Sequence, residues 1–167
     1  MTIDVAGNVG VTGGKATAAT GGNTANSSAG ISSVVTLTPV IQGDLTLTGG
    51  TAVAESVAGN LAKAEATAEI HTGGDLNLRI TGDVNVQGGT ATASTLTGGF
   101  SATANSGAAL TADGIKDIQV GGDFSVTGGL ASTAGPNAIA TAIAGTDAGK
   151  GAATSETLLI TTAGDMF

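Results

Sequence analysis

The side chains in this chain that could do chemistry sit at repeated places. An acid or an amide follows glycine at Asn8, Asp44, Asp83, Asp123 and Asp165. Acids that recur at a steady interval line up along one edge of a repeating fold, and a ladder of carboxylate oxygens is a calcium-type ligand set. Asp44, Asp83 and Asp123 are therefore the candidate calcium ligands. Calcium-binding nonapeptide repeats space their ligands as Gly-Gly-x-Gly-x-Asp, so that a turn wraps the ion. Here Gly-Gly-Asp occurs at Asp75 and Asp123 without the intervening Gly-x. The better-fitting expectation is an Asx-type turn, each carboxylate accepting a backbone N–H before the next strand.

Other chemistries find less. His71 is the single histidine and lies in a turn-like stretch, Ile70-His71-Thr72-Gly73-Gly74; the chain has no cysteine. One histidine without thiolates cannot build an ordinary transition-metal site, and no cofactor is expected. Nothing brings Ser, His and Asp together as a triad. Polysaccharide hydrolases need grouped carboxylates, usually with aromatic platforms, yet only Phe100, Phe124 and Phe167 are aromatic. The expectation is that the chain is not an enzyme. Lys15, Lys63, Arg79, Lys116 and Lys150 are the only cations against 13 acids, for a net charge of −8. They are too few and too scattered for a nucleic-acid surface. The paired glycines do not open a helix bearing Lys-Ser/Thr, so they are not a phosphate cradle.

What positions these residues is a repeat. Gly7-Asn8-Val9-Gly10-Val11-Thr12-Gly13-Gly14 returns as Gly43-Asp44-Leu45-Thr46-Leu47-Thr48-Gly49-Gly50. It returns again as Gly82-Asp83-Val84-Asn85-Val86-Gln87-Gly88-Gly89 and Gly122-Asp123-Phe124-Ser125-Val126-Thr127-Gly128-Gly129, and Gly164-Asp165-Met166-Phe167 begins a truncated copy. The starts near 7, 43, 82, 122 and 164 define a single array over 1–167. Within a copy, Leu45 and Leu47 alternate with Thr46 and Thr48, the period-two pattern of a half-buried strand. The glycine pair is expected to make a turn through positive φ. An alanine strand follows (Ala16 and Ala18, Ala52 and Ala54, Ala91 and Ala93, Ala131). The next segment alternates alanine again, with Ala62, Ala64, Ala66 and Ala68, then Ala102 and Ala104, then Ala138, Ala140, Ala142 and Ala144. A fourth returns to larger aliphatics, expected at Val35 and Leu37, Leu76 and Leu78, Ile115 and Ile118, and Leu158 and Ile160.

Alanine favours helices, but an amphipathic helix needs apolar residues at i, i+3, i+4 and i+7. Strict alternation with threonine and glycine gives strands instead. The fold class expected is all-β: a parallel β-helix, or β-solenoid, of about 40-residue repeats with a thin alanine-rich interior and uncapped ends. Equivalent residues would stack ~4.8 Å apart. One wide coil per repeat stacks leucine on leucine and alanine on alanine; two coils of about 20 residues would alternate large and small layers.

Ile3-Asp4-Val5 enters the repeat at once and Gly164-Asp165-Met166-Phe167 leaves it mid-motif, with Pro39 and Pro136 both interior. Open strand edges recruit other strands. Ile3, Val5, Leu158, Ile160, Met166 and Phe167 are accordingly expected at polymerising ends. The partner would be another copy, head to tail, or flanking repeats of a longer chain. No signal peptide is visible, and no apolar run approaches the ~20 residues of a membrane span.

The Gly-Asp-Leu-Thr-Leu-Thr-Gly-Gly pattern, with Gly74-Asp75-Leu76-Asn77-Leu78 and Gly121-Gly122-Asp123-Phe124-Ser125-Val126, resembles the repeats of filamentous haemagglutinin-type bacterial exoproteins. The resemblance implies a right-handed parallel β-helix, often with coils of about 20 residues, in large exported proteins of adhesion or biofilm. The function expected is a structural fibre, extracellular or at the cell surface: a self-stacking subunit or the shaft of a large adhesin. The alternative is a recognition module that holds a glycan or ice along one sheet face. For ice, the pairs Lys15/Thr17, Thr51/Val53, Thr90/Thr92 and Leu130/Ser132 contain a single Thr-x-Thr, so the rank is broken.

Overall fold

The computed structural model describes residues 1–19, 23–56, 61–95, 101–135, 138–148 and 158–162. The chain starts with β1 (Thr2–Val5), then makes a coil of β2 (Val9–Thr12), β3 (Lys15–Ala19), β4 (Asn23–Ser33) and β5 (Thr38–Ile41). The second coil is β6 (Leu45–Thr48), β7 (Thr51–Ser56), β8 (Ala62–Thr72) and β9 (Leu76–Ile80). The third is β10 (Val84–Gln87), β11 (Thr90–Thr95), β12 (Ala102–Ala112) and β13 (Lys116–Val120). The fourth is β14 (Phe124–Thr127), β15 (Leu130–Ala134), β16 (Ile139–Ala148) and β17 (Leu158–Thr162). Among the described residues there is no helix, and so none long and apolar enough to cross a membrane.

Each strand pairs in parallel with its counterpart one repeat away. Sheet A runs β1-β5-β9-β13-β17, sheet B β14-β10-β6-β2, sheet C β15-β11-β7-β3 and sheet D β16-β12-β8-β4. Val9, Leu45, Val84 and Phe124 form one column, and Ala25, Ala64, Ala104 and Ala140 another. The protein is a β-solenoid with one wide coil of about 39 residues per repeat. Columns of like residues are why the wide coil prevails, because coils of half that length would set leucine against alanine. The alternation places the expected side chains inside: β8 is buried at Ala62, Ala64, Ala66, Ala68, Ile70 and Thr72.

The glycine pairs do something other than turn through positive φ. Among the described glycines only Gly135 has a positive φ. A Cβ on Gly49 would lie 3.0 Å from the Thr67 carbonyl carbon and 2.5 Å from the Gly89 nitrogen. One on Gly88 would lie 3.0 Å from both the carbonyl carbon and the oxygen of Gly107. The pair is pressed against the middle of the long sheet D strand and against the pairs of neighbouring coils, so these residues are glycine because of close approach. The result is a waist that divides the interior. On one side lies a core of Leu45, Leu47, Ile70, Leu76, Leu78, Leu110 and Ile118; on the other, a core of alanines from sheets C and D. Ser27 and Ser106 sit at the waist and donate to the carbonyls of Gly14 (2.6 Å) and Gly89 (2.7 Å).

Three further expectations change. Val35 and Ile115 do not face inward: they are 58% and 52% exposed, while Leu37 is buried. Lys116 takes the inward place, in register with Leu76. In the outermost strand of sheet D, Ala140, Ala142 and Ala144 continue the alanine columns yet are exposed, because no described strand covers that side. Pro39 is interior, as expected; Pro136 lies outside the described residues.

Candidate functional site

The repeated acids form one continuous ladder just before sheet B. The Asp44 N–H donates to Asn8 Oδ1 (2.9 Å), the Asp83 N–H to Asp44 Oδ1 (3.0 Å), and the Asp123 N–H to Asp83 Oδ1 (2.9 Å). The Asn8 amide also donates to Asp44 Oδ2 (3.3 Å). Each side chain therefore caps the next coil rather than its own turn, which corrects the expectation of an Asx turn. The glycine before each acid is part of the device. A Cβ on Gly43, Gly82 or Gly122 would overlap Oδ1 of the Asn or Asp one coil earlier. The Gly-Asp pair is a socket followed by its plug. A second such ladder starts at Asp75, whose Oδ1 accepts the Ile115 N–H at 2.9 Å.

The candidate calcium ligands Asp44, Asp83 and Asp123 are thus brought into one column, and Oδ1 of Asp44 and of Asp83 is engaged with backbone. Among the described residues no group of three or more His, Cys, Asp or Glu could hold a metal ion.

His71 is not in a turn. It is the outward-facing penultimate residue of β8, opposite Ser32 and Thr111 in the neighbouring coils. Its Nδ1 contacts Thr111 Oγ1 (2.8 Å), whose hydroxyl donates to Glu69 Oε1 (2.9 Å). A hydroxyl has one proton to give. With that proton directed at Glu69, the contact with His71 is one in which Nδ1–H donates to Thr111 Oγ1. Arg79 similarly ties two coils through Asp117 Oδ2 (2.5 Å) and the Asp117 carbonyl (3.0 Å). These polar contacts act as inter-coil ties.

The expected polymerising residues fall on the outer strands of sheet A. Ile3 and Val5 lie in β1, in register with Pro39 and Ile41. Leu158 and Ile160 lie in β17, in register with Lys116 and Ile118. Met166 and Phe167 lie outside the described residues. At one end β1, β2, β3 and β4, and at the other β17, β14, β15 and β16, have a sheet neighbour on one side only among the described residues. Sequence reasoning missed the groove outside the glycine waist. Thr12, Thr48 and Gln87 form one wall, Lys15, Thr51 and Thr90 the other, and the glycine pairs the floor.

Comparison with protein-family models, curated proteins and solved structures returned no match.

Proposed function

We propose that this chain is a structural fibre protein, a β-solenoid that extends by coaxial stacking, working outside the cell or at its surface. The observation that supports this reading most is the agreement between its two ends. The outermost strands β2 and β14 both have 4 residues and β3 and β15 both have 5, while β4 has 11 and β16 has 10. Their inward columns also agree. Val126 would follow onto Val11, Ala131 onto Ala16, Ala140 onto Ala25 and Ala144 onto Ala29. An unpaired edge is a template for another strand, and the edge that fits is that of another such coil. That coil belongs to a second copy, head to tail, or to flanking repeats of a longer shaft. The net charge of −8 keeps rods apart laterally while edge pairing drives axial growth. The repeat style resembling filamentous haemagglutinin-type exoproteins supports an adhesive or biofilm setting.

The test is electron microscopy with light scattering over a concentration series. Uniform rods whose length grows with concentration support the stacking subunit, and a monodisperse particle at all concentrations overturns it. A second reading is favoured by the groove at the waist, whose hydroxyl and amide walls suit an extended polar chain such as a glycan. Retention on a glycan array without rod growth would select it. Ice recognition has less support, since Thr51, Val53, Thr90 and Thr92 stack beside Lys15 and Leu130 and leave no regular threonine rank.

A further inference from the structure

The socket that receives each carboxylate must be glycine, and at one socket this requirement creates a labile peptide bond. Gly114 receives Asp75 Oδ1, which a Cβ at 114 would overlap. The residue before the sockets Gly43, Gly82 and Gly122 is Gln42, Thr81 or Gly121; before Gly114 it is Asp113. No other Asp or Asn in the chain precedes a glycine. An aspartate followed by glycine is the sequence most open to ring closure, because the next residue carries no side chain to shield its amide. Gln42 offers no equal route, since its longer side chain would have to close a larger ring more slowly. Asp113 is exposed between β12 and β13, so water reaches its carboxyl group.

The same coil restrains the reaction. The nucleophile is the Gly114 nitrogen, whose N–H donates to the Gly74 carbonyl one coil earlier (3.1 Å). On either side, the Asp113 N–H is held by the Thr72 carbonyl (3.1 Å) and the Ile115 N–H by Asp75 Oδ1 (2.9 Å). These consecutive amides are fixed to the preceding coil, and the Gly114 nitrogen cannot turn toward Asp113 Cγ until they let go. We propose that Asp113 is a modification site, an isoaspartate site latent in the wound coil and converted when the coil opens locally. In the open coil the Gly114 nitrogen bonds to Cγ of the protonated Asp113 carboxyl; the N–H proton and the carboxyl hydroxyl leave as water, and a succinimide results. Water then adds at the ring's main-chain carbonyl carbon, and the bond from that carbon to the Gly114 nitrogen breaks. The chain now continues through Cβ and Cγ, and the former main-chain carboxylate becomes the side group. Mass is unchanged, but the backbone gains a carbon between β12 and β13, which takes Gly114 and Ile115 out of register with Gly74 and Asp75.

The test incubates the full-length chain at one pH, folded in buffer and unfolded in guanidinium chloride, and reads isoaspartate by isoaspartyl methyltransferase labelling with peptide mapping. The result expected is label concentrated in the Asp113 peptide, accumulating about tenfold or more slowly in the folded protein than in the unfolded chain. Asp75→Ala releases the Ile115 amide and should speed labelling of the folded protein severalfold while leaving the unfolded rate unchanged; Asp113→Ala should abolish the label. A circular-dichroism spectrum matching the parent checks each variant's fold, and the parent's own folded and unfolded rates test the latency without any variant. Label at Asp113 that forms equally fast in both states overturns the latency, as does a folded Asp75→Ala chain that labels no faster than the parent. Absence of label at Asp113 in the unfolded chain, or label spread evenly over the other Asp and Asn residues, overturns the site itself.

Discussion

The carboxylate of Asp44 accepts the backbone N–H of Asp83 at 3.0 Å, one full coil further along the chain. That bond makes the motif's acid a joint between layers, and it requires Gly82 beside it, where a Cβ would collide with Oδ1 of Asp44. Asp83 in turn holds Asp123 at 2.9 Å. Asp83→Ala removes this exposed bond to the Asp123 N–H and should lower stability by about 0.5–1.5 kcal/mol in urea unfolding. Asp83→Asn keeps an Oδ1 acceptor, as Asn8 already does in this column, and removes one of three stacked like charges; it should be neutral or slightly stabilising. Excess EDTA should leave the melting temperature of the parent unchanged, because Oδ1 of Asp44 and of Asp83 already accepts a backbone N–H. A calcium-dependent rise would return them to the role of ion ligands.

The waist makes a harsher demand. Gly89 packs so that a Cβ would reach the Gly50 carbonyl oxygen and lie 2.6 Å from the Gly49 carbonyl carbon. Those are backbone atoms and cannot swing aside. Gly89→Ala should therefore cost about 3 kcal/mol or more, at the upper end of overpacking effects. Gly14→Ala should cost far less, because no atom lies within 4 Å of the Cβ it would carry. The pair of thermal midpoints separates close approach from turn conformation, since a turn requirement would penalise both equally.

How far the sequence discloses the molecule follows from these residues. The alternation of Leu45-Thr46-Leu47-Thr48 and of Ala62 through Glu69 is enough to set strands and their inner faces, because a strand's side-chain period is two whatever it packs against. The repeat spacing then fixes which strands meet. The waist is hidden, since Gly-Gly reads as a turn until the backbone across from it is known. The inter-coil reach of Asp44 is hidden too, for its partner is 39 residues away in the chain. Ile115 and Lys116 mislead for a different reason. Apolarity alone favours Ile115 for the interior, yet the parity set by Ile118 and Val120 turns Lys116 inward.

Pro39 interrupts a ladder that is otherwise continuous. Leu37 bridges Leu76, and pairing with β9 resumes only at Val40 opposite Arg79 and Ile41 opposite Ile80. Proline has no N–H to give the neighbouring strand. Its side chain is buried in a column with Ile3 on one side, so the interior accepts an aliphatic there. Pro39→Val should restore the missing bond and raise stability by about 1 kcal/mol. Hydrogen exchange at the neighbouring Val40 and Ile41 amides should slow in step. Unchanged exchange would mean that the gap is held open by something other than the missing donor.

Lys116 is 1% exposed, and among the described residues its Nζ makes a single hydrogen bond, to the Ala112 carbonyl at 3.2 Å. An ammonium has three donors, and a buried charge is costly unless it is paired. The positions stacked with it are Leu76 on one side and Leu158 on the other. Like-on-like stacking predicts that Lys116→Leu raises unfolding stability by about 1–3 kcal/mol, the range seen when buried charges give way to apolar side chains of similar volume. Lys116→Ala removes the charge but leaves a cavity, so it should gain less than the leucine variant or lose stability outright. If leucine destabilised the fold more than alanine, the lysine would be held there by a favourable interaction beyond its one hydrogen bond, and the column would not be a purely apolar stack.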